Sequence, residues 1–257
     1  MPNRKTLGRR LSRAVSRGEI IFVERLLAEG ADPNYESIFR LKPLLSARKH
    51  HLTSIMLALI EAGADIRMLF PSLGWFVQEG ETAIVKLLLE AGIGPDDMKG
   101  KHGETALIAA CKAGQLAETR LLIEAGADVN AMTSTKIALT PLIGASLAGK
   151  SKVVVMLLAA GADVQKTAGG VSPLMRAAQR GDLPTIRLLV ENGADVSAKM
   201  EYKSRSTFPN TYGMTSLDIY RTYNGGESEA TWLLTPGSTA PWEGRNLTPD
   251  LNPVGHT

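Results

Sequence analysis

GETALIAACKAGQLAETRLLIEAGADVN, residues 103–130, is the stretch that decides the fold of this 257-residue chain. Its first half reads as a short helix that carries Leu107 on an apolar face and ends at Gly114, where a permissive backbone is needed. Its second half reads as another helix, with Leu122 on the apolar face and Gly126 at the end. Neither helix can bury its apolar face alone, so copies of the pair must stack to make a core.

The same pattern recurs along most of the chain. Its closing glycines, which are 33, 29, 34, 35 and 32 residues apart, are Gly30, Gly63, Gly92, Gly126, Gly161 and Gly193. Twelve residues before these stand Gly18, His51, Gly80, Gly114, Gly149 and Gly181, and seven residues earlier stand Leu11, Leu44, Leu73, Leu107, Leu142 and Leu174. Constant internal spacing with variable connections predicts pairs of packed helices joined by surface loops.

The repeated unit resembles the ankyrin repeat, whose pattern is G-x-T-P-L-H-x-A-A-x-x-G followed by L-L-L-x-x-G-A-D-V-N. The best matches are Gly103-Glu104-Thr105-Ala106-Leu107, Thr140-Pro141-Leu142 and Ser172-Pro173-Leu174. The resemblance implies an all-α, ankyrin-type helix-turn-helix solenoid with projecting β-hairpin-like loops. It predicts one ankyrin-repeat domain over 1–235, with repeats at roughly 7–36, 40–68, 69–98, 101–131, 138–167, 170–199 and 213–235, and a Pro/Gly-rich tail over 236–257.

Three residues depart from the family pattern. His51 stands where a helix-ending glycine is usual, and Trp75 and Phe76 stand where small residues are usual. We therefore expect irregular packing between the second and third repeats.

Composition favours a soluble helical protein inside the cell. Hydrophobic residues make up 44% of the chain but aromatic residues only 5%, which suits thin helical layers. No apolar run approaches the roughly 18–20 residues that cross a bilayer, so no membrane association is expected. The single cysteine, Cys111, cannot form an internal disulfide, which favours a reducing compartment, the cytoplasm or alternatively the nucleus. Residues 1–18 lack acids and could also be an organelle transit peptide, although they fit the first repeat.

Positive charge is concentrated at one end. The net charge is +3, yet residues 1–25 carry seven Lys or Arg against Glu19 and Glu24, so this segment is +5 and the remainder is −2. Arg9, Arg13 and Arg17 recur every four residues and predict a basic ridge. The ridge reads as a solubilising terminal cap, or as a docking site for an acidic partner, an import receptor or phosphate. A general nucleic-acid coat is not indicated.

One segment satisfies the P-loop formula G-x-x-x-x-G-K-[ST], namely Gly144 to Ser151. A nucleotide site needs a strand, a phosphate-cradling loop and then a helix, whereas here Pro141 starts a helix and Gly149 ends it in the register of the repeat. A P-loop NTPase is therefore the weaker alternative. Cys111 takes a small-residue position in its helix and is read as buried and inert. The histidines do not share a helix face at metal spacing, so no enzyme activity, metal or cofactor is expected.

Asn130, at the end of the segment LIEAGADVN and eight residues after Leu122, resembles the acceptor that asparaginyl hydroxylases modify in ankyrin repeats. The structural interpretation is that its side chain hydrogen-bonds its own backbone and turns the chain.

The resemblance implies that partners bind a concave groove lined by the first helices and the loop tips. The two residues before the first glycine of each repeat should face that groove, and these positions supply Arg17, Lys49, Lys112 and Arg180. The long connection between Gly193 and Leu217 supplies Tyr202, Arg205, Phe208 and Tyr212 as anchors, unless it is only a tolerated surface insertion. The predicted function is a scaffold or adaptor that binds another protein with an acidic surface. The alternative is an effector or inhibitor that acts by occupying its target, and no small-molecule substrate is expected.

Overall fold

The computed structural model describes residues 3–36, 42–96, 103–133, 138–201, 212–225 and 228–237, with the side chains of 70–73 excepted. These ranges contain fourteen α-helices and one 3₁₀ helix, Ile66–Ser72. The α-helices are α1 (Arg4–Arg17), α2 (Ile20–Ala28), α3 (Pro43–Lys49), α4 (Thr53–Glu61), α5 (Leu73–Glu79), α6 (Thr82–Glu90), α7 (Ala106–Ala113), α8 (Leu116–Glu124), α9 (Pro141–Ala148), α10 (Ser151–Ala159), α11 (Pro173–Arg180), α12 (Leu183–Glu191), α13 (Ser216–Asn224) and α14 (Glu229–Leu233).

The helices form successive pairs that stack in two layers. The odd-numbered helices, which we call the first helices, pack against one another along the stack, and the even-numbered second helices form the other layer. One apolar core runs between the layers from Leu7 to Leu234. The all-α helix-turn-helix solenoid predicted from the sequence is confirmed.

Side chains and glycines set the ends of the first helices. Thr105, Thr140 and Ser172 each cap an N-terminus, because their hydroxyl oxygen accepts the backbone N–H three residues later at 3.2–3.3 Å. At the other end of α9, Gly149 adopts a left-handed conformation with φ 66°, and its N–H and that of the following residue return to the last turn. The repeated Thr-Pro-Leu-like segments therefore start the first helices, and the repeated glycines end them.

Hairpin-like loops precede several first helices. Their backbone pairs are Thr133 with Leu139, Ala168 with Val171, and Met200 with Gly213 and Met214. Each loop closes with one or two hydrogen bonds of 2.9–3.3 Å, and the described ranges contain no strand longer than an isolated bridge. The apolar side chains of Leu139 and Ala168 hold two loops against Ile108 and Ile143 at the ends of α7 and α9.

The stack is irregular between α3 and α5. These first helices approach each other less closely than the other neighbouring first helices, and the 3₁₀ helix contacts both. His51 ends α3 with a left-handed backbone, φ 55°, and its ring lies 5.0 Å from that of Trp75. Phe76 is completely buried beside them. The departures noted in the sequence therefore coincide with a change in helix spacing.

Side-chain amides join the turns of consecutive pairs. The Asn34 amide accepts from Asp65 N–H at 2.7 Å and donates to Gly63 O at 2.9 Å. Asn130 makes the same two bonds, to Asp163 N–H at 2.8 Å and Gly161 O at 3.2 Å. Asn130 therefore bridges two repeats, so the interpretation that it bonds its own backbone is wrong; Asp128 does that, accepting from Asn130 N–H.

In the third repeat, Asp96 occupies the position that corresponds to Asn34 and Asn130. It can make only one of the two hydrogen bonds that each asparagine makes. Its Oδ2 accepts from Asp128 N–H at 2.8 Å, whereas its Oδ1 is buried without a hydrogen-bond partner among the described residues. A carboxylate cannot donate to the turn carbonyl that the Asn side chains satisfy.

Replacing Asp96 by Asn should therefore raise the free energy of unfolding by about 1–2 kcal/mol, because one new bridge forms and a buried acceptor is no longer unsatisfied. Urea unfolding followed by circular dichroism measures the change. Asn130→Asp is the matched control and should lower stability by a similar amount. Equal midpoints for the parent and Asp96→Asn would contradict the argument.

Candidate partner-binding groove

The face formed by the first helices is the candidate groove. Except at α3 and α5, they lie closer together than the second helices do, and a two-layered stack curves towards its tighter layer. The hairpin-like loops immediately precede the first helices, so they border the same face. We define the groove row as the two residues before each helix-ending position of the first six repeats, namely Gly18, His51, Gly80, Gly114, Gly149 and Gly181.

At the N-terminal end, the groove row presents Arg17 and Lys49. Both side chains are exposed. Arg17 Nη1 lies 3.7 Å from Glu19 Oε1, whereas Lys49 has no ion pair within the described part of the chain. Arg9 and Arg13 are also exposed, so the basic ridge continues from Arg17 back along α1.

Lys112 is partly neutralised by the protein itself. Its Nζ lies 2.8 Å from Glu104 Oε1, which precedes α7. Its alkyl chain crosses α9 at Gly144, where a Cβ would be only 3.1 Å from Lys112 Cγ. The charge predicted at this position is present but already paired.

Arg180 is held in a fixed place without being neutralised. Its guanidinium crosses Gly149, where a Cβ would lie 2.3 Å from Arg180 Nε, and its Nη1 donates to Leu147 O at 3.5 Å. No carboxylate of the described ranges lies within ion-pair distance of it, and the side chain is exposed. Arg180 thus combines an ordered position with an uncompensated charge.

The positive character of the groove is therefore discontinuous. Arg17 and Lys49 lie at one end and Arg180 towards the other, while exposed Glu79 and the Glu104–Lys112 pair lie between them.

The sequence placed Leu147 in the groove row, and the structure leaves its side chain 36% exposed on α9, whose preceding residues are buried. Sequence reasoning did not identify Tyr223, which is 40% exposed on α13, or Arg176. Arg176, one turn before Arg180, is buried and donates to Gln179 Oε1 at 3.2 Å, and burial lowers its pKa to about 10. In the sequence, Arg176 stands two residues after the repeated Leu174, which is the position that Gly144 occupies after Leu142 in α9. A long cationic side chain at a position where another repeat has glycine was the feature that could have identified it.

Of the four residues predicted in the long connection, Tyr212 is 60% exposed and lies beside the Met200 hairpin pair. Tyr202, Arg205 and Phe208 lie outside the described residues.

The segment that matches the P-loop formula lies on a helix-turn-helix. Gly144 is inside α9, Gly149 is its C-cap and Ser151 begins α10. The Lys150 alkyl chain covers Gly114, where a Cβ would be 2.6 Å from Lys150 Cδ. The backbone therefore does not form the strand-loop-helix that wraps a phosphate.

Other described residues are of types that could act as a nucleophile or a metal ligand. Burial raises the pKa of the Cys111 thiol to about 12, against a hydrogen bond with Thr119 that lowers it, so the thiol is protonated at neutral pH. The described ranges hold no cluster of three His, Cys, Asp or Glu side chains that could bind a metal ion. They also contain no helix with the length and apolar character to cross a bilayer.

The family model "Ankyrin repeats (3 copies)" matches residues 44–133, 73–168 and 131–200, which together span more than half of the chain. The Homo sapiens "Transient receptor potential cation channel subfamily A member 1" is 26% identical over 192 residues, 71% of this chain and 14% of the channel. The Caenorhabditis elegans "Ankyrin repeat and KH domain-containing protein mask-1" is 32% identical over 145 residues, 54% of this chain and 5% of that protein. The chain thus spans only a small part of either relative.

A solved structure gives the same fold. The crystal structure of the human ASB11 ankyrin repeat domain aligns with a TM-score of 0.63 and 22% identity, covering 87% of this chain and 95% of that chain.

Proposed function

The chain belongs to the ankyrin-repeat family, and from this premise we propose that it is a scaffold that binds an acidic surface of a partner protein through its concave groove and hairpin-like loops. Ankyrin repeats are protein-interaction modules. The observation that carries the proposal is the groove row, where Arg17, Lys49 and Arg180 are exposed at positions that the core does not need.

Two kinds of contact would contribute to partner binding. Exposed cations on α1 and in the groove row steer an acidic surface during encounter, which mainly affects the association rate. Aromatic and Arg side chains of the long connection, Tyr202, Arg205, Phe208 and Tyr212, would act as anchors. A specific interface buries roughly 800 Å² on each partner, an area that a loop and three or four first helices together can supply.

The proposal extends to organisation and location. We assign seven repeats to a single domain over 1–235, which agrees with the seven helix pairs of the described ranges. An intracellular setting, cytoplasmic or nuclear, fits the single buried thiol. Binding needs no cofactor, and neither a small-molecule substrate, a membrane nor nucleic acid is part of it.

Reversing both N-terminal charges, Arg17→Glu with Lys49→Glu, should slow association with the partner by roughly tenfold at low salt, because steering is lost. The partner is first identified by affinity purification and mass spectrometry with the parent and the variant, and rates are then measured by surface plasmon resonance. The effect should shrink at moderate salt, since screening shortens the reach of surface charges.

The matched control is Lys86→Glu with Lys152→Glu, which makes the same change of net charge on exposed second-helix positions. If the groove variant and this control behave alike, the groove is not the docking face. Replacing residues 199–212 by a Gly-Ser connector tests the loop separately, and unchanged affinity there would remove the loop from the interface.

A further inference from the structure

We propose that the surface around Arg180 recognises a short extended peptide segment in which a carboxylate stands two positions from a large apolar side chain. This inference rests on the proposed function and names the chemistry that the groove selects. The Arg180 patch consists of Lys112, Ala113, Leu147, Ala148 and Arg180.

The patch has an apolar floor. Leu147 is partly exposed on α9, and the groove row places exposed Ala113 on α7 and half-buried Ala148 on α9 beside it. The alanines leave room above the helix ends, so an apolar side chain of a ligand can lie against Leu147. An apolar floor beside a polar group that converges on it is the combination found in ligand sites.

One charge in the patch is available to a ligand. Lys112 already faces Glu104 at 2.8 Å, whereas Arg180 has no carboxylate within reach in the described part of the chain. A guanidinium carries five N–H donors, and within the described residues Arg180 uses one of them, from Nη1 to Leu147 O. The remaining donors can form the two-pronged pair with a carboxylate. Buried Arg176, one turn away on the same helix, adds positive potential beneath the patch.

The arrangement fixes the spacing of the ligand groups. Because Arg180 Nη1 lies 3.5 Å from Leu147 O, the carboxylate subsite and the Leu147 subsite are neighbours. An extended chain rises about 3.3 Å per residue and places every second side chain on one face. Residues at positions i and i+2 therefore reach both subsites at once.

A peptide fits this patch better than a nucleic acid does. Nucleic-acid affinity depends on several phosphate contacts made by several cations, whereas here two cations without a carboxylate partner in the described part of the chain, Arg180 and Lys150, adjoin an apolar surface. The favoured occupant is thus a protein segment with acid and apolar side chains.

The test uses a displayed library of random 12-residue peptides, selected against the immobilised full-length chain. We expect enrichment of Asp or Glu two positions from Leu, Ile, Phe or Met. A fluorescein-labelled peptide of the enriched sequence then serves as the probe in fluorescence polarisation. Arg180→Glu should weaken its binding by roughly 30-fold or more, as expected when a bidentate charge pair becomes a repulsion. Arg180→Lys should weaken it several-fold, since the planar fork is lost.

Three comparisons separate recognition from folding. Arg180→Met keeps the aliphatic cover of Gly149 and should still lose binding, with an unchanged thermal midpoint. Lys86→Glu and Lys152→Glu, at exposed second-helix positions, each make the same charge change as Arg180→Glu but should cost less than threefold. A probe whose acid is replaced by Lys should regain binding to Arg180→Glu.

The inference is overturned if enriched peptides lack the acid, or if Arg180→Glu and Arg180→Met bind the probe like the parent. It is also overturned if a single-stranded oligonucleotide displaces the probe and itself depends on Arg180. After any of these results, loss of partner binding in the Arg17→Glu, Lys49→Glu variant would still support the proposed function. Failure of the peptide inference can therefore be distinguished from failure of the proposed function.

Discussion

Replacing Leu142 by alanine is expected to lower the free energy of unfolding by about 2–5 kcal/mol, the usual cost of a cavity left by a buried leucine. Leu142 is 1% exposed and lies in α9, whose neighbours on the two sides are α7 and α11. Leu107 and Leu174 occupy the same place in those helices and should show similar losses.

The loss should be local at first, because each repeat contacts only its neighbours. Hydrogen exchange should accelerate in α7 to α12 while α1 and α2 keep the parent rates. Leu147→Ala is the control on the same helix, and because Leu147 is already exposed its effect on stability should stay small. Uniform acceleration from end to end after Leu142→Ala would contradict the solenoid.

The repeated scaffold could be predicted because its signals are local. Thr140, Pro141 and Leu142 start a helix and Gly149 ends it within ten residues, so capping chemistry and helical periodicity are enough. The same argument placed Cys111 inside a helix and Arg180 at a helix end. Residues whose role is set by their own repeat were therefore interpreted correctly.

Contacts between repeats could not be predicted in the same way. Whether Asn130 bonds its own turn or the next one depends on how far the next repeat is displaced, which no local pattern specifies. The pairing of Lys112 with Glu104 and the freedom of Arg180 likewise depend on side-chain reach across helix ends. The sequence thus located these cations at helix ends, whereas whether each one is already paired needed the structure.

Phe76 gives the sharpest example of a contact that depends on repeat spacing. Counted from the repeated leucine, its position is filled by alanine in five other repeats, by Tyr220 in the last, and all of these residues are buried: Ala14, Ala47, Ala110, Ala145, Ala177 and Tyr220. Alanine lets neighbouring first helices approach closely, and α7, α9 and α11 do so. Between α3 and α5 the approach is wider, and the larger side chain of Phe76 fills space that an alanine would leave empty.

Phe76→Ala should therefore cost about 3–5 kcal/mol, although it introduces the residue that five of the other repeats use. The 3₁₀ helix contacts both α3 and α5 and holds them apart, so the stack cannot close on the smaller side chain. Since stability in such arrays is a sum of repeat terms and interface terms, weakening this interface should uncouple α1–α4 from the remainder.

Urea unfolding followed by two signals checks this expectation. With Trp232 and Trp242 replaced by Phe, the fluorescence of Trp75 reports the junction while circular dichroism reports all helices. The transitions should coincide in this background and separate after Phe76→Ala. Gln78→Ala, an exposed position on the same helix, should leave them coincident. If Phe76→Ala is instead as stable as its background, α3 and α5 have closed to the spacing of their neighbours, and the wide junction is a consequence of Phe76 rather than of the 3₁₀ helix.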